Sequence, residues 1–503
     1  MQNEHFSYWK KIWNQFISHR LGVAALAVVV LFLLVGIYAP FLASSKPLFV
    51  KYDGEKYFPL FRYLFYTGFF TKRLDIFFNL LIFIFPFILF VLVLCRGQPH
   101  TKKTLIGAIV VIQLGLFIYF AYKTPRDPAS DPVLTQKRQE ALQQLRQQGE
   151  SPDWNFDLQY MTSYAKLNLI LRYRHQRAND ERLQSYAPNE KDLPTLWQVE
   201  KKNEQERIQR YERTIERFDK GALTDETAYH EMQHSLKYLL DRRQWLEVEN
   251  QKITFEVMSL MRPYHWEDDA GGEQSMNLIL PWWELTRINR KDLVSALIFG
   301  VRISLVVGIM AVSLALCIGI PIGCFAGYYG GKFDIFVSRM LEIWESMPTF
   351  FMLLLVVAMT QSKSIFIVIA VVGIFGWTGF SRYIRGEFFK QRNLPYVEAC
   401  HALGFRDSHI MFSHILPNAI PPVLTLLPFA IMGAITSEAG LSFLGLGEEG
   451  SCSWGVLMDE GRTAFPGESY LLWPPAILLT LLLVAIALVG DALRDALDPK
   501  MQL

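Results

Sequence analysis

Residues 396–418 read YVEACHALGFRDSHIMFSHILPN. A short helix is expected over about 395–402, stopping at Gly404, where a left-handed turn costs little. A second segment follows and enters the next apolar run at Pro417. Apolar runs flank the stretch at 364–385 and 411–437, each close to the ~20 residues that carry a helix across a bilayer. The stretch is therefore a polar loop between two membrane helices. Its basic neighbours Arg382, Arg385, Lys390, Arg392 and Arg406 put it on the cytoplasmic side.

Working outward, further runs stand at 21–43, 77–95, 104–122, 301–325, 340–360 and 471–490, which makes eight predicted spans. The first is too long for a cleavable signal peptide and lacks a small-residue cleavage site after Pro40. Orientation rests on Lys10, Lys11 and Arg20, on Arg96, Lys102 and Lys103, on Lys332 and Arg339, and on Arg494 and Lys500, all placed inside. Residues 44–76, placed outside, run against the rule with six basic side chains (Lys46, Lys51, Lys56, Arg62, Lys72 and Arg73). The outside loop 438–470 obeys it, with Glu438, Glu448, Glu449, Asp459, Glu460 and Glu468 against Arg462 alone.

Composition agrees. The 503 residues are 51% hydrophobic and 14% aromatic, with a positive mean hydropathy of +0.18, which excludes disorder, collagen and a disulfide-rich scaffold. A net charge of +2 and the lack of a basic tract interleaved with aromatics exclude nucleic-acid binding. Five scattered cysteines form no CxxC. The 19% charged fraction is uneven: 55 of the 98 charged residues fall in 123–292, a charged insert predicted to lie outside. Within it, Ile208, Tyr211, Ile215 and Phe218, then Tyr229, Met232, Leu236 and Leu239, recur at helical spacing. Gly221 and the N-cap candidate Thr224 lie between, so an antiparallel helical hairpin is expected. Residues 6–19 place Phe6, Trp9, Trp13, Phe16 and Ile17 on one face, the pattern of a helix lying on the cytoplasmic leaflet. A plain extension of the first span is the alternative.

Pro321, Pro348, Pro428, Pro474 and Pro475 are placed to kink or begin spans. Glu342, Glu345 and Glu438 lie near membrane depth, where an acid is either functional or an interface anchor.

His230-Glu231-Met232-Gln233-His234 matches HExxH, the helix in which two histidines hold zinc and the glutamate activates water. The apolar stripe of the same helix runs through 229, 232, 236 and 239, so His230 and His234 fall with Lys237 and Asp241 on the solvent face. A third ligand from His175, His265 or a carboxylate is not fixed. A membrane-tethered metalloprotease stays as a minor alternative. No GxxxxGK[ST] and no GxSxG occurs, so the chain is not expected to bind or hydrolyse ATP by itself.

Glu398-Ala399, Gly404 six residues after the glutamate, and Leu416-Pro417 resemble the EAA loop of bacterial ABC importer permeases, with Cys400 where a second alanine is usual. AGYYGGKFD (326–334), MPTFF (347–351), ILPNAIPP (415–422), SEAGLSFLGLG (437–447), SWG (453–455) and GDALRDALDP (490–499) are similar to the dipeptide/oligopeptide permease family, and His414 before Ile-Leu-Pro has that subfamily's form. SKPLFVKYDGEKYFPLF (45–61) and YYGGKFDIFVSRMLEIWESMP resemble the permease branch of microcin C-type peptide importers. One departure is ArgIleAsnArgLysAsp (287–292), where only Asp292 fits the family pattern.

The resemblance implies an all-α polytopic membrane protein: a six-span type I importer permease core, an extra two-span hairpin and a helical periplasmic insert. The implied organisation is an interfacial helix and first span (1–43), a periplasmic segment (44–76), the hairpin (77–122), the insert (123–292) and the core (293–503) with its coupling loop at about 392–410. Two added spans leave the orientation of the core unchanged. Glu398, Ala399, Gly404, Leu416 and Pro417 are the implied ATPase-coupling residues. The implied partners are a second homologous permease, two ATP-binding subunits, a periplasmic solute-binding protein and the bacterial inner membrane. ATP and Mg would be held by the partners, with no cofactor in this chain. Peptides are the expected cargo. Nickel or another small solute, and a structural or sensory protein on a degenerate core, are the alternatives.

Overall fold

The computed structural model describes residues 2–66, 68, 72–95, 99–123, 125–186, 195–221, 225–270 and 277–497. Thr224, Arg96 and Lys500, used above, lie outside them, as do the side chains of Phe6, Trp9 and Lys103. The chain divides into two units, residues 37–298 and residues 1–36 with 299–503. Helix α1 (Gln2–Ser18) and α2 (Arg20–Ile37) come first. Strands β1 (Phe49–Tyr52) and β2 (Glu55–Tyr57) follow, joined by Asp53-Gly54, both at positive φ as a tight hairpin turn requires.

Next are α3 (Arg73–Leu94), α4 (Pro99–Tyr122), α5 (Pro132–Gln147), α6 (Ser163–Tyr186), α7 (Leu196–Asp219), α8 (Glu226–Gln251) and β3 (Ile253–Val257). Strand β3 pairs antiparallel with β1, in the order β2-β1-β3, with Val50 opposite both Tyr57 and Glu256. The sheet is an addition to the expected all-helical class. Val50 and Ile253 bury against Leu167, Ile170 and Leu171 of α6, so segment 44–76 and the insert share one core.

In the apolar hairpin α3–α4, the buried polar groups find backbone partners: Asn79 Nδ2 donates to the Leu64 carbonyl (2.7 Å) and Gln113 Nε2 to that of Phe77 (3.0 Å). The expected helical hairpin is α7–α8. All eight stripe residues are half-buried, Phe218 packs edge-on to Tyr229, and Tyr229 Oη donates to Asp219 Oδ1 at 2.9 Å across the turn. Gly221 has φ +72. Asp225 caps α8, accepting from the amides of Thr227 and Ala228.

A buried ion cluster closes this unit. Arg262 donates to Glu284 Oε2 (3.0 Å) and Asp292 Oδ1 (3.1 Å), and Arg182 also reaches Glu284 Oε2 (3.0 Å). Asp292, fully buried, accepts the Ser295 amide (2.8 Å) as the cap of α9 (Leu293–Tyr329). The resemblance singled out Asp292 alone; its cation Arg262, and Glu284 that shares this cation, are 30 and 8 positions away in the sequence.

After α9 come α10 (Gly331–Glu345), α11 (Thr349–Thr360), α12 (Ile365–Gln391), α13 (Pro395–Ala402), α14 (Leu416–Leu424), α15 (Leu427–Leu441), α16 (Trp454–Thr463) and α17 (Trp473–Leu497). Among the described residues seven helices are long and apolar enough to cross a membrane, and α10–α11 make an eighth if counted as one.

Two predicted spans need correction. The run 340–360 is not one rod: α10 and α11 meet at 70°, because Pro348 disfavours helical backbone at Met347 and lacks an amide. The run 411–437 is split into a π turn (Ile410–Ile415), α14 and α15, with Pro417 and Pro428 at the helix starts and Pro421 and Pro422 inside α14. The three acids fall into two environments. Glu345 pairs with Arg382 and Glu342 with Arg339, whereas Glu438 is no interface anchor but is buried, accepting from Ser442 Oγ at 2.8 Å.

Helix α1 also departs in detail. Phe16 joins Ile12 in packing on Ala492, Ala496 and Leu497 of α17, while Trp13 and Ile17 stay exposed. In the first span, Gly36 offers its carbonyl to Arg302 Nε (2.7 Å). Gly319, Gly323 and Gly327 form a four-residue repeat on α9 that was not read from the sequence. A Cβ there would lie 2.5 Å from the Trp377 carbonyl, the Ser381 carbonyl and Phe388 Cβ, so α9 and α12 approach at backbone contact.

Candidate functional site

The loop between α12 and α14 is held from one side and bare on the other. Pro395 starts α13 with its φ already helical. Val397 and Cys400 point inward, buried among Phe388, Ile410, Met411 and Ile415. Cys400 thus stands where a small side chain is required, which accounts for a cysteine in an alanine position. Glu398 and Ala399 point outward, and every residue from His401 to His409 is exposed.

Gly404 has φ +75. Its amide donates to the His401 carbonyl (2.9 Å) and that of Phe405 to the Cys400 carbonyl (3.1 Å), the paired bonds of a Schellman stop. Nothing lies within 4 Å of a Cβ built on Gly404, so backbone conformation rather than space selects glycine. Leu416 is half-buried at the start of α14 and Pro417 is exposed beside it. Of the five expected residues, Glu398, Ala399 and Gly404 therefore share the exposed surface, and Leu416 and Pro417 form its root.

The returning arm is tied down. Tyr328 Oη, on α9, donates to Asp407 Oδ1 (2.9 Å) and lies 3.3 Å from His401 Nε2. Arg392 Nη1 donates to the Gly327 carbonyl (3.3 Å). Phe405 stacks on His414, which meets His409 edge-on. Leu403 and Phe405 stand out beside the glycine, Leu403 72% exposed. An apolar pair outward on a pinned turn is a surface suited to burial against another protein. Sequence reasoning missed Leu403, Phe405, Tyr328 and Asp407. Two large apolar residues flanking the one glycine of a basic loop were the available signal.

The HExxH residues do not assemble. His230 is exposed, whereas His234 is half-buried in a cleft of about 380 Å³ that includes Arg207 and Tyr211, so the two do not lie on one solvent face as expected. His175 pairs with Glu256, and His265 is buried beside Trp266. Among the described residues no group of three or more His, Cys, Asp or Glu is placed to hold a metal ion.

Residues 319–503 match the model of the binding-protein-dependent transport system inner membrane component, and residues 7–59 that of the N-terminal TM domain of oligopeptide transport permease C. The peptidoglycan transport system permease protein YejE of Agrobacterium fabrum is 36% identical over 219 residues, 43% of this chain and 57% of that one. The inner membrane ABC transporter permease protein YejE of Escherichia coli is 35% identical over 219 residues, 43% of this chain and 64% of that one. The match thus spans about six-tenths of the length of these two relatives. The oligopeptide transport system permease protein OppC of Haemophilus influenzae is 38% identical over 216 residues, 43% of this chain and 69% of that one. Neither family model covers residues 60–318, which hold the hairpin and the insert. With α9–α17 carrying the matched region and its loop, the chain belongs to the family of binding-protein-dependent transport system inner membrane components, among its dipeptide and oligopeptide permeases.

Proposed function

We propose that the chain is a permease subunit of an ATP-driven importer for peptides. The observation that carries this reading is the exposed, one-side-anchored turn Glu398–Gly404 within the region that matches the family. Two ATP-binding subunits, holding ATP and Mg, would close against this turn and against its counterpart on a second, homologous permease. Because Val397 and Cys400 are rooted in the core shared by α9, α12 and the π turn, a push on the turn reaches the spans rather than bending the loop. A solute-binding protein would deliver cargo on the side of the insert, the periplasm, with both chain ends in the cytoplasm. The names of its relatives, which mention oligopeptides, dipeptides, glutathione and peptidoglycan, favour amide-linked cargo over nickel.

The test is uptake by proteoliposomes holding the whole complex. ATP-dependent accumulation of labelled short peptides, and none of nickel ion, is expected. Uptake that ignores ATP, or that takes nickel and not peptides, would overturn the reading.

A further inference from the structure

In residues 277–289 both charged side chains are inside while much of the hydrocarbon is outside, Leu280 and Leu285 alone among the leucines and tryptophans being buried. Glu284 and Arg287, the charged residues of this segment, are buried, Glu284 in the cluster with Arg262 and Arg182. Outward stand Leu278 (83% exposed), Trp282 (63%) and Trp283 (47%), with Ile279 and Ile288 beside them. The strand-like segment before Arg262 does the same. Arg262 turns in to Glu284 and Asp292, while Leu260 (82%) and Met261 (58%) turn out. A water-facing loop buries its apolar groups and leaves its charges outside. Here two segments clamp one ion cluster from opposite ends of a sequence interval and show the solvent their hydrocarbon.

Their place in the chain says what meets that hydrocarbon. The amides of Leu260 and Met261 donate to the carbonyls of Phe41 and Leu42 (3.0 Å each), directly after the first span ends at Ile37. Residues 277–289 run into Asp292, the cap of α9. Asn277 Nδ2 and the Thr286 carbonyl (3.1 Å) close the segment into a fixed loop. Both segments are therefore fastened beside the ends of two helices long and apolar enough to cross a membrane. Paired tryptophans with an apolar body and one N–H are the side chains that settle at that depth.

We propose that Leu260-Met261 and Leu278–Ile288 insert into the headgroup–acyl boundary of the leaflet on the insert's side, so that the insert rests on phospholipid. The inference needs only that the chain spans a membrane, and goes beyond its role in transport. The experiment attaches a nitroxide at Leu278→Cys or Leu260→Cys in a chain whose accessible Cys95 and Cys317 are replaced by Ser and whose buried Cys324, Cys400 and Cys452 are kept, within the whole complex in phospholipid bilayers. Collision with oxygen is compared with collision with a water-soluble nickel chelate. Reference labels sit at Phe87, exposed on the α3 span, and at Lys201, exposed on α7. The ratio of oxygen to chelate collision at 278 and 260 should fall with that at Phe87. A ratio like that at Lys201 would overturn the proposal. Shielding from both reagents would overturn it too, because a protein partner would then cover the patch.

Discussion

Replacing Leu403 by Asp should lower ATP-driven uptake by roughly 30-fold or more, the effect of removing one interface hot spot of about 2 kcal/mol. The melting temperature should hardly change: Leu403 is the C-cap of α13, but that cap is made by backbone amides and carbonyls, and an exposed side chain outside buried networks shifts stability by about 0.5 kcal/mol or less. Leu403 is 72% exposed, so the loss would have to arise at a partner's surface. Gly404 separates docking from local shape. At φ +75 with open space around it, Gly404→Asn should keep most uptake, because asparagine tolerates the left-handed region. Gly404→Glu should lose it, through both backbone strain and a charge set into the docking face. If Gly404→Glu transports normally, the turn is not where nucleotide energy enters. Uptake and ATPase activity in the same proteoliposomes give both readings.

The second large effect concerns the insert. Arg262→Ala should destabilise residues 37–298 by about 3–5 kcal/mol, the loss typical when one partner of a buried ion pair is removed. Glu284 and the fully buried Asp292 would be left without their shared cation. Arg262→Lys should recover only part of the loss, because an ammonium cannot serve both carboxylates with the guanidinium's fork. Thermal unfolding of the purified chain checks this. A loss below about 1 kcal/mol, the range of an exposed pair, would show that the cluster is not the closure of this unit.

The parts of this molecule legible in its sequence are those set by short-range pattern. Apolar runs gave the spans, the stripes of Ile208–Phe218 and Tyr229–Leu239 gave a hairpin, and the glycine after a short helix gave the exposed turn. What escaped reading depends on partners far along the chain. ITFEV at 253–257 alternates like a strand, yet its partner is two hundred residues earlier. Arg262 reads as one more surface charge until Glu284 and Asp292 are brought to it. The N-terminal stripe had the right period but not its destination. Lipid and α17 are both apolar, and the structure divides the stripe, giving α17 Phe16 while Trp13 and Ile17 remain exposed. The prolines at 348 and 417–428 marked where the two broken spans break, but not that α10 and α11 would meet at 70°. The repeat Gly319, Gly323, Gly327 was readable, since small residues four apart let membrane helices touch.

The most direct test of the coupling surface is a photoreactive amino acid placed at Leu403 in the assembled complex. Illumination should yield an adduct with an ATP-binding subunit, and an identical probe at Phe87 should yield none. An adduct-free ATP-binding subunit at 403, in a complex that still imports, would contradict the account.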